Sequence, residues 1–547
     1  MALELNRVRC GVSLLTVCIF VGAVQGQPLQ EKIDSAIASK VPNYSTRASA
    51  DSTDLEFLRR VTLDLHGTIP TAQEAREFQA DKSPNKRAAQ VDKLLADVWH
   101  PAYYAGVLDL TWMERRPTKH VTNDEWKQFL LQSMLENKPY DQLVREILTA
   151  DGNDPKTRAA SRFYLDRDAE PHLLTRDISR LFLGSNWQCA QCHDHPRVED
   201  YKQDLYYGLF AFFNRTSVFT DAKTKKAVLA EKADGEASFQ SVFDPKKTTK
   251  TSLPKMGARK ELGEPKLEKG KEYDVAPAKE VRGVPKYSRR AKLAGELANG
   301  DFTPFPRNAA NRLFNHMMGR GIVHPLDLDH SDNPPSHPEL LDLLTKELVK
   351  MKFNQKEILG TLAKSKTYSR SSQAPKGSGE FKAEEFLVAA VRPMSAEQFA
   401  YALMQATGLT DAEKQAQGNK GESRALRSSL RAKIAPMAQP AMQAFASQPG
   451  EAATYDSRVE QALFLANNGY LQGLLSPQPG SLTFRLAALA PEQVADELYL
   501  SVLTRFPTEE EKKEVSQFLK ARISDRAGAV RDLVWAMVTS VEFRFIS

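Results

Sequence analysis

The segment LLTRDISRLFLGSNWQCAQCH, residues 173–193, joins a helical pattern to side chains that bind metals and haem. Its first half spaces apolar residues one, three or four positions apart, as on one side of an amphipathic helix. These residues are Leu173, Leu174, Ile178, Leu181 and Phe182. The pattern predicts a helix over residues 173–183 that leads the chain into Cys189-Ala190-Gln191-Cys192-His193.

The Cys-x-x-Cys-His segment has three interpretations. In a c-type haem site, Cys189 and Cys192 add to the vinyl groups and His193 is the proximal iron ligand. In a zinc or iron site, the two thiolates bind the metal with His193, and His195 is a fourth candidate ligand. The third interpretation is a short-range disulfide or redox dithiol. Covalent haem c is the leading hypothesis, and the other two stay open.

The N-terminus resembles an export signal. Arg7 and Arg9 precede an apolar run over residues 11–23, and small residues follow up to Gly26. This order predicts a signal peptide over residues 1–26 and a periplasmic or secreted mature chain. The run is shorter than the roughly 20 residues that a membrane-spanning helix needs. We therefore expect no membrane span after cleavage.

Composition excludes several classes of protein. The chain has 547 residues, 41% of them hydrophobic and 26% charged, with a net charge of +6. That small excess does not favour a nucleic-acid-binding protein, whose domains are usually strongly basic. Four cysteines are too few for a disulfide scaffold of this length. We expect a globular protein of several domains.

Helical signals fill both halves of the chain. Capping-box sequences at Thr71–Glu74, Thr122–Glu125, Ser395–Gln398 and Thr508–Glu511 predict helix starts. Ser336 is the expected cap of another helix, and residues 407–450 read as a loop-rich interruption. The predicted organisation is a helical domain over residues 27–220 and a second helical domain over residues 291–547.

Residues 221–290 differ from both halves. They contain 18 Lys and Arg residues against 11 Asp and Glu, and short β-prone runs such as residues 227–229 and 238–243. We predict a small β-containing, Lys-rich insert, and so a mainly α fold with this insert between two helical domains. Most of these lysines are expected to lie on a solvated surface. The alternative is that they form a docking patch for an acidic partner.

Longer motifs make the chain recognisable. Residues 57–65, 189–196 and 204–209 resemble the planctomycete cytochrome-C-like domain, also called domain of unknown function 1549. Residues 311–323, 333–341, 498–508 and 540–543 contain segments similar to its usual companion, domain of unknown function 1553. The resemblance covers nearly all of the mature chain.

The activity of this family is not established, and its name reflects the Cys-x-x-Cys-His motif itself rather than a proven haem. Many relatives carry a further N-terminal cytochrome domain, which this chain lacks. Electron transfer would then use one site and an external redox partner. The leading functional hypothesis is an exported electron-transfer protein. The alternatives are a metal-binding module, enzymatic or structural, and a disulfide-containing scaffold that binds polymers.

Other candidate residues are weaker. Met317 and Met318 are candidate distal haem ligands, of which at most one could serve, and core packing is the favoured interpretation for both. Four polar residues share one helical face or follow it closely: Arg307, Asn311, Asn315 and Arg320. They predict either a site for a carboxylate, such as a haem propionate, or a network that fixes the loop over residues 327–336. Asp64 and His66 form a pair too common in sequences to predict hydrolysis.

Overall fold

The structure is a computed structural model that describes residues 26–375, 377, 379–418, 423–448 and 458–547. Within these residues helices form most of the secondary structure, and strands pair only in two-stranded antiparallel sheets. The predicted fold class, mainly α with a small β-containing region in the middle, is confirmed.

Helices of the first half precede the sheets. They are α1 Leu29–Lys40, α2 Tyr44–Arg47, α3 Asp54–His66, α4 Ala72–Ala80, α5 Lys86–Ala96, α6 Trp99–Met113, α7 Asn123–Leu135, α8 Tyr140–Thr149, α9 Arg162–Leu165, α10 Pro171–Leu183 and α11 Gln203–Phe210. Two 3-10 helices, Arg158–Ser161 and Gln188–Gln191, lie among them. The second of these 3-10 helices contains Cys189.

Strands occupy the middle of the chain. Three hairpin-like sheets pair β1 Thr216–Thr220 with β2 Ala227–Glu231, β3 Ala237–Phe239 with β4 Lys250–Ser252, and β5 Tyr273–Val275 with β6 Val284–Pro285. A fourth sheet pairs β7 Arg392–Pro393 with β8 Phe545–Ile546 near the C-terminus. The β-prone run at residues 227–229 is therefore a strand, whereas only the start of residues 238–243 is one.

Helices of the second half follow the insert. They are α12 Arg289–Leu297, α13 Pro304–Met318, α14 Pro338–Lys350, α15 Gln355–Ala363, α16 Ala396–Ala406, α17 Leu409–Ala416, α18 Arg424–Ile434, α19 Gln439–Phe445, α20 Val459–Asn467, α21 Gly469–Leu474, α22 Leu482–Ala488, α23 Pro491–Leu503, α24 Glu509–Ala521, α25 Arg526–Thr539 and α26 Val541–Arg544. Three 3-10 helices, Ala383–Glu385, Pro436–Ala438 and Ile523–Asp525, complete the set among the described residues.

Two hydrophobic cores hold these helices. The first core joins the first-half helices to α12–α15, where for example the rings of Tyr140 and Phe305 stack at 5.4 Å. The second core comprises most of the buried apolar side chains from Met394 onward, but not Leu500, joined by Leu63, Ile69, Val98 and Trp99 from the first half. Residues 291–547 therefore contribute to both cores, and the change occurs close to Met394.

Buried ion pairs fix the insert to the first core. Glu264 accepts hydrogen bonds from Arg289 Nε at 2.5 Å and from Arg215 Nη2 at 3.1 Å, and both arginines are buried. Arg290 Nε donates to Glu231 Oε1 over 3.1 Å. Many lysines of the insert remain exposed. The positive charge of this region therefore divides into arginines that pack inward and lysines that face solvent.

All four predicted capping boxes are present, at Thr71, Thr122, Ser395 and Thr508. The cap predicted at Ser336 is wrong. Helix α14 is preceded by His337, and the Ser336 hydroxyl instead donates to the carbonyl of Ile322 over 3.1 Å. The Ser336 hydroxyl therefore makes a tertiary hydrogen bond and does not cap the helix.

The predicted loop-rich interruption over residues 407–450 is also wrong in its described part, which contains α17, α18 and α19. Leu430, Ile434 and Ala441 are buried there in the second core. Alanine and lysine have good helix propensity, and packing of one face stabilises helices that a low-complexity composition conceals.

No helix of the described ranges combines the length and the apolar character needed to cross a bilayer. The predicted signal peptide, residues 1–26, lies outside the described residues apart from Gly26.

Candidate functional site

The Cys-x-x-Cys-His segment follows α10, which ends where Gly184 adopts a left-handed backbone with φ of +70°. A Cβ at this position would lie 2.9 Å from Oδ1 of Asn308 on α13, so glycine is required for the close approach. Two residues later, Asn186 donates its backbone N–H to the carbonyl of Asp327 over 2.8 Å. The segment is thus fixed against the loop that follows α13.

Both thiols face solvent. Cys189 and Cys192 are exposed and make no disulfide, whereas Ala190 between them is fully buried. The 3-10 turn is closed by the Cys192 N–H, which donates to the carbonyl of Cys189 over 3.4 Å. One buried alanine anchors the turn, and the two sulfur atoms remain accessible to a reagent or a cofactor.

His193 has one ring nitrogen engaged and one available. Its Nδ1 lies 2.6 Å from the carbonyl oxygen of Asp194, and a carbonyl only accepts, so Nδ1 carries the proton. The lone pair of neutral His193 is therefore on Nε2. The ring also packs against Phe243, with centroids 4.7 Å apart. This tautomer is the one in which Nε2 can bind a metal.

His195 is engaged differently. Its Nδ1 accepts the backbone N–H groups of Val198 at 2.9 Å and Arg197 at 3.2 Å, so the proton of the neutral ring is on Nε2. Neither nitrogen then offers a lone pair to a metal. Within the described ranges, no group of three or more His, Cys, Asp or Glu side chains is arranged to hold a metal ion. The four-ligand set of Cys189, Cys192, His193 and His195 is not assembled.

Helix α11 and the insert both contact the turn that carries the two cysteines. The Tyr207 hydroxyl donates to the carbonyl of Gln191 over 3.1 Å, and its ring stacks on Phe239 at 4.3 Å. Burial, and then the charge of a Cys192 thiolate, raise the pKa of the Tyr207 hydroxyl, which therefore stays a neutral donor. Val242 donates its N–H to the carbonyl of Cys192 over 3.0 Å. The insert thus contacts the motif directly.

The donor set fits covalent haem. Two accessible thiols one turn apart can form the thioether bonds, and His193 presents Nε2 while a backbone carbonyl fixes its tautomer. Three aromatic side chains that follow the motif in sequence, Tyr206, Phe212 and Phe213, are fully buried in the first core. Phe243 from the insert, not predicted from the sequence, is the aromatic side chain that lies against His193.

The methionines lie elsewhere. Met317 and Met318 are buried in the first core at the C-terminal end of α13. Gly184, which leads into the motif, approaches α13 at Asn308, ten residues before Met318. The burial of both methionines agrees with core packing.

The polar cluster of α13 fixes a loop. Arg307 Nε donates to Asp329 Oδ2 over 2.8 Å. Asn311 exchanges two hydrogen bonds with the backbone of Val323, at 2.9 and 3.1 Å. Arg320 pairs instead with Glu384, 3.7 Å away. Since Asp329 also donates its N–H to the carbonyl of Gly184, the network positions the segment that leads to the cysteines.

Asp64 and His66 lie in the interior. Asp64 is 1% exposed, and its carboxylate accepts hydrogen bonds from Arg392 at 2.6 Å and from the Tyr368 hydroxyl at 2.7 Å. His66 donates from Nε2 to the carbonyl of Leu94 over 2.8 Å. Their side chains bind different partners, so they do not form a hydrolytic pair.

A cavity of about 1000 Å³ lies apart from the cysteines. Helices α6, α7, α13, α16, α18 and α19 contribute to its lining, which includes Arg115, Arg116, Arg392 and Arg431. Sequence reasoning missed these residues. The doublet Arg115-Arg116 after an apolar helix was the one local signal, and such doublets are common on protein surfaces.

The comparisons with known proteins agree with the fold's two helical parts. Residues 32–218 match the family model described as Protein of unknown function (DUF1549), and residues 289–519 match the one described as Protein of unknown function (DUF1553). The chain belongs to the proteins in which these two domains are fused. No curated protein and no solved structure matches the chain.

Proposed function

We propose that the chain is an exported electron-transfer protein that carries one c-type haem on Cys189, Cys192 and His193. One observation carries the proposal: two exposed, unpaired thiols lie one turn apart beside a histidine whose Nδ1–H is held by a backbone carbonyl. In this role the haem supplies one-electron chemistry at its iron. The thiols attach it, and the Asp194 carbonyl holds the His193 ring in the ligating tautomer.

The surface around the motif suits brief contact with a redox partner. Val242 and Phe243 are 66% and 74% exposed, and both contact the motif. Exposed lysines of the same strand-and-turn region, Lys246, Lys247 and Lys250, lie a few residues further on. An apolar patch beside positive charge favours fast association with an acidic partner, and small interfaces are typical of electron transfer.

Haem attachment is the first test. The full chain, with its N-terminal segment, is expressed in cells that have cytochrome c maturation machinery, and the exported protein is stained for haem on a denaturing gel. We expect stain, a reduced pyridine spectrum of two thioether bonds, and a mature N-terminus at Gln27. Cys189→Ser with Cys192→Ser should abolish the stain. His193→Ala should keep covalent haem and lose the low-spin spectrum.

His195→Ala is the matched control, since that ring stabilises a neighbouring turn and should leave stain and spectrum unchanged. A colourless wild-type protein, from cells in which a control cytochrome matures, would overturn the haem proposal. Elemental analysis and thiol titration would then assign the segment to a zinc or iron site or to a disulfide.

Partner charge is tested on the haem protein with small oxidants. Oxidation by anionic hexacyanoferrate(III) should slow several-fold in the double variant Lys246→Glu, Lys247→Glu, and oxidation by a cationic cobalt(III) complex should accelerate. Lys350→Glu on α14, whose side chain is 74% exposed, is the control. Equal rates in all three proteins would exclude the lysine patch as the docking surface.

A further inference from the structure

The cavity between the two family domains is lined by an excess of positive charge. Seven arginine and lysine side chains line it, against the carboxylates of Asp109 and Glu397 alone. Four of the arginines have acidic partners, as Arg115 has Glu397 at 2.7 Å. Lys127, Arg431 and Arg544 make no ion pair within the residues that the structure describes. Within the described ranges the lining therefore carries cationic groups that no ion pair neutralises.

Arg431 is the clearest case. Its guanidinium carbon lies 3.5 Å from the ring centroid of Tyr401 and 4.9 Å from that of Trp99, so two aromatic faces hold the group in place. Its Nη1 is buried and has no hydrogen-bond partner among the described residues. Burial lowers the pKa of Arg431 from its usual value, since no carboxylate offsets the desolvation. The Arg431 guanidinium therefore lines the cavity with one donor that has no hydrogen-bond partner among the described residues.

Other arginines of the lining repeat this feature. Arg162 has a side chain only 2% exposed, yet its Nη1 lacks a partner in the described chain. The Nε atoms of Arg115 and Arg116 are likewise buried and unpaired in the described part. A buried donor without a partner has lost its hydrogen bonds to water and gained none in return, and this cost is larger for a charged group. Four such donors around one cavity indicate a ligand that accepts hydrogen bonds.

The backbone that carries Arg115 and Arg116 is strained. Glu114 and Arg115 both adopt left-handed conformations, with φ of 47° and 56°. For residues other than glycine this conformation is sterically unfavourable, because Cβ approaches the backbone. Glu114 is held by Arg180 at 2.6 and 2.9 Å, which keeps the turn in this conformation. The turn directs two consecutive arginines into the cavity lining.

We propose that this cavity binds a small organic molecule that carries an oxyanion, a carboxylate or a sulfate or phosphate ester. The guanidinium groups match the planar acceptor pairs of such anions. Leu110, Leu131 and Met442 supply apolar lining for the remainder of the ligand. A volume near 1000 Å³ is at the upper end of small-molecule sites. The site contains neither cysteine, so it does not depend on haem.

The test is calorimetric titration of the full mature chain with three probes that share one ring system: naphthalene-2-carboxylate, naphthalene-2-sulfonate and the neutral naphthalene-2-carboxamide. We expect at least one anion to bind ten times or more tightly than the amide. The preference between the two anions then shows whether a planar carboxylate or a tetrahedral sulfonate is the better ligand. Similar affinity for the anions and the amide, or no binding of either anion, would overturn the proposal.

Arg431→Met is the diagnostic variant. It removes an unpaired buried charge and keeps the apolar stem, so we expect anion affinity to fall tenfold or more while the thermal midpoint stays equal or rises. Arg320→Gln, a change to an arginine outside the cavity, is the matched control and should bind as the wild type does. Undiminished anion binding by Arg431→Met, or an equal fall in the control, would contradict the assignment.

Discussion

Asp64 and Arg392 connect the two family domains through a buried ion pair. Arg392 Nη2 lies 2.6 Å from each carboxylate oxygen of Asp64, and the Asp64 side chain is fully buried. Asp64 belongs to α3 of the first domain, and Arg392 to β7 of the second. The carbonyl of Asp64 also accepts a hydrogen bond from His316 Nε2 at 3.0 Å. Since the Tyr368 hydroxyl also donates to the Asp64 carboxylate, one residue of the first domain engages three separate segments of the second.

Breaking this pair should destabilise the protein. Arg392→Met leaves the Asp64 carboxylate buried with only the Tyr368 hydroxyl as a side-chain donor. We expect a loss of about 3–5 kcal/mol in the free energy of unfolding, measured by urea denaturation. Adding Asp64→Asn should recover part of the loss, because the unpaired charge is then removed. Lys350→Met breaks an exposed pair with Glu347 and should cost less than about 1 kcal/mol. Equal effects of the two single variants would contradict the assigned role.

Gly67 should not tolerate a side chain. It ends α3 with φ of +70°, and a Cβ there would lie 2.2 Å from Cδ2 of Tyr103. The Tyr103 ring is held in place, since its hydroxyl accepts a hydrogen bond from Gln398 Nε2 at 3.0 Å. Gly270 has φ of +86° with nothing near its Cβ position, so Gly270→Ala isolates the conformational cost.

We expect Gly67→Ala to lower the free energy of unfolding by about 1–3 kcal/mol more than Gly270→Ala does, because overpacking adds to the backbone strain. Urea denaturation of the two variants measures the difference. Equal losses would mean that the Tyr103 ring moves aside without cost. That outcome would contradict its fixation by the hydrogen bond to Gln398.

Buried histidines should make the fold acid-sensitive. Burial lowers the pKa of His66 to about 4 and that of His100 to about 3, and a backbone carbonyl fixes each neutral ring. The unfolded chain takes up protons near pH 6.5 and the folded chain does not. Stability is therefore complete above that pH and is lost as the pH falls toward the folded values. Asp97, Glu74 and Arg427 are the charged groups that face His66.

Between pH 7 and pH 5 each of these two histidines should remove about 2 kcal/mol from the free energy of unfolding. His66→Gln, which can keep the hydrogen bond to Leu94, should flatten the pH dependence by that amount. Chemical denaturation at both pH values measures it. An unchanged slope in the variant would show that His66 is protonated in the folded state.

The two thiols should react in the native state. A chain that begins at Gln27, made without haem maturation and kept reduced, contains only Cys189 and Cys192. Because both are exposed, a thiol reagent should titrate two groups before unfolding and no more after it. Cys189→Ser and Cys192→Ser should each leave one. If the thiols reacted only in denaturant, that result would contradict the exposure of both cysteines in the native protein.

The local sequence predicted several helix starts correctly, but it did not predict the contacts that side chains make with distant segments. The capping boxes at Thr71 and Ser395 were readable because both partners lie within three residues of each other. The Ser336 cap failed because the carbonyl of Ile322, distant in sequence, bound its hydroxyl. The helices of residues 407–450 were missed because their stability comes from one packed face, which a composition rich in Ala, Gln, Lys and Ser conceals.

The candidate site shows the same division. The spacing of Cys189, Cys192 and His193 was visible in the sequence, and so was the chemistry that such spacing allows. The tautomer of His193 and the contact with Phe243 depend on a turn and an insert that spacing does not describe.

By itself the sequence determined a mainly helical chain with a Lys-rich insert and one Cys-x-x-Cys-His motif, since periodicity, caps and ligand spacing act over a few residues. The tertiary structure alone decided that Asp64 pairs with Arg392 across 328 residues of chain. It alone also decided that Arg431 lines a cavity with its Nη1 atom buried and without a hydrogen-bond partner among the described residues. The local sequence does not show whether a charged side chain is exposed or buried. Its desolvation and its partners are set by the packing of segments that are distant in the chain.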